Sequence, residues 1–218
     1  MRWGYKEAIM SGTTIWLMAI AIYGLFRAWY DNWRGALTRA EIDHFMGLAQ
    51  ARSEAAGGGK TDLSIFRKFL EEDDGREFFM VNLVKIVPDQ VADPDTGAMM
   101  SGAKMLSRYS NPFVKRLIGH GGHPALVSRK VAGYVDSWNV PPDPGWTILG
   151  FMRYRSRRDL AKLAFDPTFD GIHKYKLLGI EATYSFPSQP SAMLLVGPRI
   201  WVGLTLALIA ALANLALV

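Results

Sequence analysis

Two runs of nineteen uncharged and mostly apolar residues bracket this chain, at 8–26 and 200–218. Nineteen residues make a helix of about 28 Å, close to the thickness of a bilayer core. The second run is mostly Leu, Ala, Val and Ile, with no polar face to turn toward water. Trp16, Trp29, Tyr30, Trp33 and Trp201 lie in or near the ends of the runs, where an interfacial aromatic belt would sit. Both runs therefore read as membrane spans. A cleaved signal peptide is the rival for the first, since Arg2 and Lys6 precede it. That apolar run is too long, however, and no small-x-small site follows it. Two spans place both termini on one side of the bilayer and residues 31–195 on the other. Arg27, Arg34, Arg39 and Arg199 outnumber Arg2 and Lys6, which predicts a cytoplasmic domain at a bacterial-type inner (plasma) membrane. The signal-anchor pattern argues the opposite facing.

The intervening stretch is long enough for one domain of ordinary size. The chain carries a net charge of +5 and no cysteine. The missing thiols exclude disulfides, thiolate metal sites, a cysteine nucleophile and iron–sulfur clusters. The bases are dispersed, apart from Arg153, Arg155, Arg157 and Arg158. These read as exposed charges where a strand gives way to a helix, Arg157 and Arg158 more so than Arg153.

The predicted organisation is a span at 1–30, a juxtamembrane helix and linker at 31–60, a folded domain at 61–187, and a tether with the second span at 188–218. Thr38 and Glu41 form a capping box before an amphipathic helix over 39–52. Gly59-Lys60-Thr61 suggests a P-loop, but Glu54 occupies the first glycine position and no strand precedes it. Leu63, Phe66 and Leu70 mark a short helix that ends in a solvated acidic turn, Glu71–Gly75. Phe78–Ile86 is the strongest strand, with Phe79, Val81 and Leu83 expected on its helix-facing side and Met80, Asn82 and Val84 on the other. A polar loop over 88–97 precedes a helix over 101–118, which Pro112 should kink or divide. Pro124–Tyr134 and Trp146–Tyr154 are the second and third strands. Ser156 caps the next helix and Thr168 the one after it. Phe169, Ile172, Leu177 and Ile180 form that helix's apolar stripe, and Glu181–Phe186 is the last strand. The order is βαββαβ. The fold class is α+β: a ferredoxin-like βαββαβ domain with a four-stranded antiparallel sheet, flanked by N- and C-terminal transmembrane helices.

The candidate site residues are the polar and aromatic groups that this pattern leaves unexplained. An amide on a buried strand costs about 1–3 kcal/mol unless it is partnered, so Asn82 either lines a wet cavity or satisfies a neighbour. His120 and His123 lie in a Gly-rich turn. They suit proton transfer or ligand polarisation, or simply a helix C-cap, and no third ligand with metal-site spacing accompanies them. The expected catalytic residues are His120, His123 and Tyr109. The expected ligand-binding residues are Asn82, Trp146 and Arg153, with no metal. The cofactor is unknown, and a single histidine would suffice for haem.

In combination, Met80-Val-Asn-Leu-Val-Lys85, the Tyr109 helix, the Gly-Gly-His-Pro turn, Trp146 and Arg153-Tyr-Arg-Ser-Arg157 resemble the dimeric α+β-barrel superfamily. The nearest branch is an uncharacterised family of such domains, and the resemblance spans about residues 60–187. It implies a sheet that packs on a second copy's sheet, with a small cavity in each protomer. Relatives in that superfamily include cofactor-free monooxygenases, lactone isomerases, haem-dependent peroxidases and chlorite-degrading enzymes, so the resemblance chooses no reaction. Two functions follow as expectations. One is a membrane-anchored protein acting on a small apolar or aromatic oxygenated ligand, as a cofactor-independent oxygenase or isomerase would. The alternative is a non-catalytic accessory subunit of a membrane complex. The expected partners are the lipid bilayer and either a second copy of the chain or other membrane subunits. The strands lack the aromatic signature of nucleic-acid readers, so no nucleic acid is expected.

Overall fold

The computed structural model describes residues 11–55, 62–192 and 196–216. Arg2, Lys6, residues 8–10 of the first apolar run and Gly59-Lys60-Thr61 lie outside the described residues. In chain order the elements are α1 (Gly12–Tyr30), α2 (Arg39–Ala55), α3 (Leu63–Glu71), β1 (Phe78–Ile86), β2 (Gln90–Ala92), β3 (Met99–Ser101) and α4 (Gly102–Gly119). They continue with β4 (His123–Arg129), β5 (Ile148–Tyr154), α5 (Arg157–Ala164), a 3₁₀ turn (Pro167–Phe169), α6 (His173–Gly179), β6 (Ile180–Ser188) and α7 (Pro198–Leu215). The chain separates into two compact units, Met1–Asp31 with Ser191–Val218, and Asn32–Pro190.

In the first unit α1 and α7 run antiparallel. Asn214 lies against Gly12 at one end. At the other end the Tyr23 hydroxyl donates to the Arg199 carbonyl at 2.9 Å. Arg199 Nε donates to Asp31 at 2.7 Å, and Arg27 pairs with the same carboxylate. Gly203 faces the Tyr23 ring, where a Cβ would sit 3.4 Å away. Of the two expected spans, α7 is the one described helix long and apolar enough to cross a membrane. The first described helix, Gly12–Tyr30, carries Thr13, Thr14 and Arg27 within its length.

The second unit is a mixed α+β domain built on a four-stranded antiparallel sheet in the order β4-β5-β1-β6. The expected capping box forms: Thr38 N donates to Glu41, and Glu41 N donates back to Thr38 Oγ1. It starts α2, whose Ile42, Phe45 and Met46 pack with Leu70 of α3 and Ala161 of α5. A second core cluster joins Phe78, Leu117, Tyr154, Leu163 and Phe169 between the sheet and the helices. Gly102 and Gly179 let α4 and α6 touch closely. A Cβ on Gly179 would lie 2.7 Å from the Gly102 carbonyl and 2.8 Å from Leu106 N.

Several local expectations change. Met80, Asn82 and Val84 share the helix-covered side with Phe78, and Phe79, Val81 and Leu83 face the other way. The period of two was right but its sign was reversed, because both sets are apolar and neither declares the covered face. Residues 90–101 form a small hairpin, β2–β3, where a loop was expected. β4 stops at Arg129 instead of Tyr134, leaving 130–147 as an irregular connection. Pro112 lies within α4 without ending it, on an exposed position where the unbonded carbonyl can meet water. Asp166, not Thr168, caps the 3₁₀ turn, and α6 has no side-chain cap.

The largest revision concerns the arginine cluster. Arg158 is 3% exposed; it donates to Glu41 and to the carbonyls of Gly35 and Ala36. Arg157 bonds to the Phe69 carbonyl and lies over the Phe69 ring. The acidic turn is likewise not fully solvated: Asp73 accepts from Leu37 N at 2.7 Å and from Gly75 N at 3.1 Å. These partners come from distant parts of the chain, which local pattern cannot reveal.

Candidate functional site

The helix-covered face of the sheet does not pack fully against α4 and α6. Between them lies a cavity of about 470 Å³. Its floor is Met80, Asn82 and Val84 of β1 with Gly150 and Met152 of β5, and Thr183 and Ser185 of β6 border it. Leu106, Tyr109, Phe113 and Val114 of α4 form the roof, and Lys176 of α6 closes one side. A second cavity, of about 460 Å³, shares Tyr109, Phe113, Tyr154 and Leu160 with the first, and Arg52, Asp170 and His173 line it further out. Most of the lining is apolar with a few polar groups, as in small-molecule sites of this size.

The register explains the floor. Asn82 lies directly between Gly150 and Ser185. Its amide donates to the Met80 carbonyl at 2.9 Å, and its oxygen accepts from Ser185 Oγ at 2.8 Å. One amide hydrogen remains for a ligand. Gly150 leaves open the space that a side chain at that position would fill.

Tyr109 is common to both cavities. It stacks on Phe113 with ring centres 5.7 Å apart and meets the edge of His173 at 5.9 Å. Burial raises the pKa of its phenol, and that of Tyr154 more strongly. Among the described residues neither hydroxyl has a hydrogen-bond partner, so both present neutral O–H groups to the cavity. The His173 pKa is lowered, first by burial and then by Lys176 and Arg52.

Lys176 is the unusual member. Its amine lies 5.7 Å from the centre of the Tyr109 ring, and among the described residues it has no ion pair or hydrogen bond. Burial lowers its pKa. No Asp or Glu is among the residues lining the cavity that holds it. An ammonium in such surroundings is poorly solvated and favours either an anionic partner or loss of its proton.

Of the expected site residues, the structure brings Asn82 and Tyr109 together and leaves the other four outside the cavity. His120 is the C-cap of α4, with Nδ1 3.7 Å from Asp159. Gly121, at φ +73°, completes that cap: Gly121 N bonds to the Ile118 carbonyl and Gly122 N to the Leu117 carbonyl, both at 2.9 Å. Asp159 is buried. Its pKa stays lowered because bonds from His120, Arg155 and Ser156 outweigh the cost of burial. His123 Nδ1 lies 3.0 Å from the Pro124 carbonyl. Arg153 is buried, pairs with Glu77 and donates to the Gly121 carbonyl. Trp146 packs on Tyr184 at 5.4 Å.

Lys176, Tyr154 and His173 were not among the expected site residues. A signal for Lys176 was present. Ile172, Lys176 and Ile180 follow one another at i, i+4 and i+8, so the lysine lies on the apolar stripe. Leu177, placed on that stripe from the sequence, is instead 69% exposed.

No family profile and no curated protein matches the sequence. Among solved structures the chain is similar to RPA0582, a protein of unknown function from Rhodopseudomonas palustris. Identity is 20%, 62% of this chain and 97% of that one are covered, and the TM-score is 0.48. The methylated form of RPA0582 gives 21% identity, coverage of 62% and 96%, and the same TM-score. At3g17210 from Arabidopsis thaliana is more distant, at 13% identity, coverage of 54% and 99%, and a TM-score of 0.35.

Proposed function

We propose that this chain is a membrane-anchored α+β-barrel protein that binds a small apolar or aromatic, oxygenated ligand. The observation that carries the proposal is the cavity of about 470 Å³ roofed by α4, in which the amide of Asn82, the phenols of Tyr109 and Tyr154, the amine of Lys176 and a few small hydroxyl side chains lie among mostly apolar walls. The strand order β4-β5-β1-β6 supports a ferredoxin-like domain. In order of appearance within the sheet, those strands are the second, third, first and fourth. The opposite sheet face supports pairing with a second copy: it carries Phe79, Val81, Leu83 and Phe151, and Tyr184 and Phe186 are exposed there. The exposed apolar surface of α7, a helix long and apolar enough to cross a membrane, supports the anchor, and α1 packs antiparallel against it. Lys176 and Tyr109 suit proton transfer next to a ligand carbonyl, the chemistry of a cofactor-independent oxygenase or isomerase.

The test is calorimetric titration of the full chain in phosphatidylcholine nanodiscs with the neutral probe 1-naphthamide. The wild type should bind one probe per chain, and Gly150→Leu, which fills the floor, should abolish binding while the thermal melt persists. Equal binding to Gly150→Leu would place the probe elsewhere and refute the cavity as the site.

One observation favours a second reading, an accessory subunit of a membrane complex. Val131, Val135 and Trp138 on the 130–147 connection are 85%, 96% and 85% exposed. Exposed apolar groups grouped in this way suit a protein partner. Stoichiometric co-purification with other membrane subunits, together with failure to bind the probe, would support it.

A further inference from the structure

Lys176 remains unexplained by the fold. A lysine needed for stability is normally solvated at its tip or paired with a carboxylate. Lys176 is half-buried and has no carboxylate partner among the described residues. It lies at a stripe position flanked by Ile172 and Ile180, and its amine borders the apolar cavity beside the Tyr109 ring.

The acids and bases that surround it are committed elsewhere or are neutral. On β6, Glu181 is held by Lys85 at 2.6 Å. Asp170, which lines the outer cavity, is held by Arg52 at 2.7 Å. Asp95 pairs with Lys174 and Arg108. The facing groups on α4 and β5 are the phenols of Tyr109 and Tyr154. His173, one turn earlier on α6, is disfavoured as a cation. The cavity therefore offers one positive charge, donor hydroxyls and an apolar body, with no negative charge among the described residues to compete for the amine.

We propose that Lys176 anchors the carboxylate of an aryl or alkyl carboxylic acid, whose apolar body fills the space between the sheet and α4. This rests on the cavity reading above and names the class of ligand. An apolar wall without the amine would select a neutral hydrocarbon. A second basic group or an open mouth would suit a phosphate or a nucleotide. One amine in a largely apolar chamber matches one acid group on an apolar body. A charge-assisted hydrogen bond formed away from water is also stronger than the same bond at a surface.

The experiment compares 1-naphthoate with its neutral isostere 1-naphthamide, by calorimetry on the full chain in phosphatidylcholine nanodiscs. Wild type should prefer naphthoate by about tenfold or more at neutral pH. Lys176→Met should lose that preference and still bind naphthamide, and Lys176→Arg should keep part of it. The preference should also fall as pH rises and the amine loses its proton, a readout that a purely structural lysine would not move. If wild type binds both probes equally, or if Lys176→Met keeps the preference, the carboxylate anchor is refuted and the cavity reading survives. If wild type binds neither probe, both fall. Retained naphthamide binding by Lys176→Met is the control that the variant is folded, and Lys176→Gln provides a second variant should it fail to fold.

Discussion

Arg158 of α5 and Glu41 of α2 are 117 positions apart, and the guanidinium donates to both carboxylate oxygens, at 2.8 and 3.0 Å. Two further donors of Arg158 bond to the Gly35 and Ala36 carbonyls at 3.1 and 2.9 Å. The capping box of α2 and the long-range lock on α5 therefore share one residue. Replacing Glu41 by Gln would leave a buried arginine without its counter-charge. We expect Glu41→Gln to cost about 3 kcal/mol, the usual scale for breaking such a pair. The urea midpoint of the full chain in detergent would show this, and a change under 0.5 kcal/mol would contradict it.

The same pair predicts an acid limb. The bond from Arg158 holds the Glu41 pKa at about 2, against 4.5 in the unfolded chain. The folded state thus holds its proton less tightly than the unfolded state. Its stabilisation is complete above about pH 4.5 and is lost as pH falls from there toward 2. Urea midpoints taken across that window should converge for wild type and Glu41→Gln. Parallel curves would remove Glu41 as the cause.

Lys176 should behave in the opposite sense. Burial lowers its pKa, so the folded state resists carrying the charge, and stability rises as pH climbs through the window below 10.5. Lys176→Met should therefore make the ligand-free protein more stable at neutral pH, by about 0.5–2 kcal/mol. The thermal melting temperature of wild type and variant would show the gain. A loss of stability would mean that the lysine serves the fold.

Gly179→Ala should destabilise. The added methyl meets the Gly102 carbonyl and Leu106 N, backbone atoms that cannot swing aside. Overpacking of this kind costs about 1–3 kcal/mol. Because α6 carries Lys176, the same variant should also weaken ligand binding; unchanged melting and binding would show that α4 and α6 have room to separate.

The helix-free face of the sheet yields a prediction about assembly. Tyr184 and Phe186 alternate on β6 with Thr183 and Ser185, which border the cavity, and are 66% and 49% exposed. In a two-fold pairing each substitution acts twice. Phe186→Lys should weaken the proposed homodimer by about 100-fold or more in dissociation constant. Mass photometry in nanodiscs across a concentration series would measure it. An unaffected dimer would place the interface elsewhere.

The sequence by itself determined the features that neighbouring residues settle. The Thr38–Glu41 capping box, the Ser156 cap and the strands at 78–86 and 146–154 were all legible in it. So were the glycine turn after α4 and the apolar character of α7. Each depends on groups within a few positions of one another, and propensity and spacing report those directly.

Tertiary structure alone decided which face of β1 the helices cover, because Phe79, Val81 and Leu83 are as apolar as Met80 and Val84. It also decided the fate of the charges. Arg158 and Arg157 looked like exposed ends, yet partners at residues 35–41 bury the first and partners at 69–73 hold the second half-buried. His120, His123 and Arg153 looked like a site and are engaged by Asp159, the Pro124 carbonyl and Glu77. Lys176 was not among the expected site residues and lines a cavity. Charge and polarity along a chain show what a side chain needs. Whether a partner arrives to meet that need depends on segments a hundred residues away, and only the folded chain brings them together.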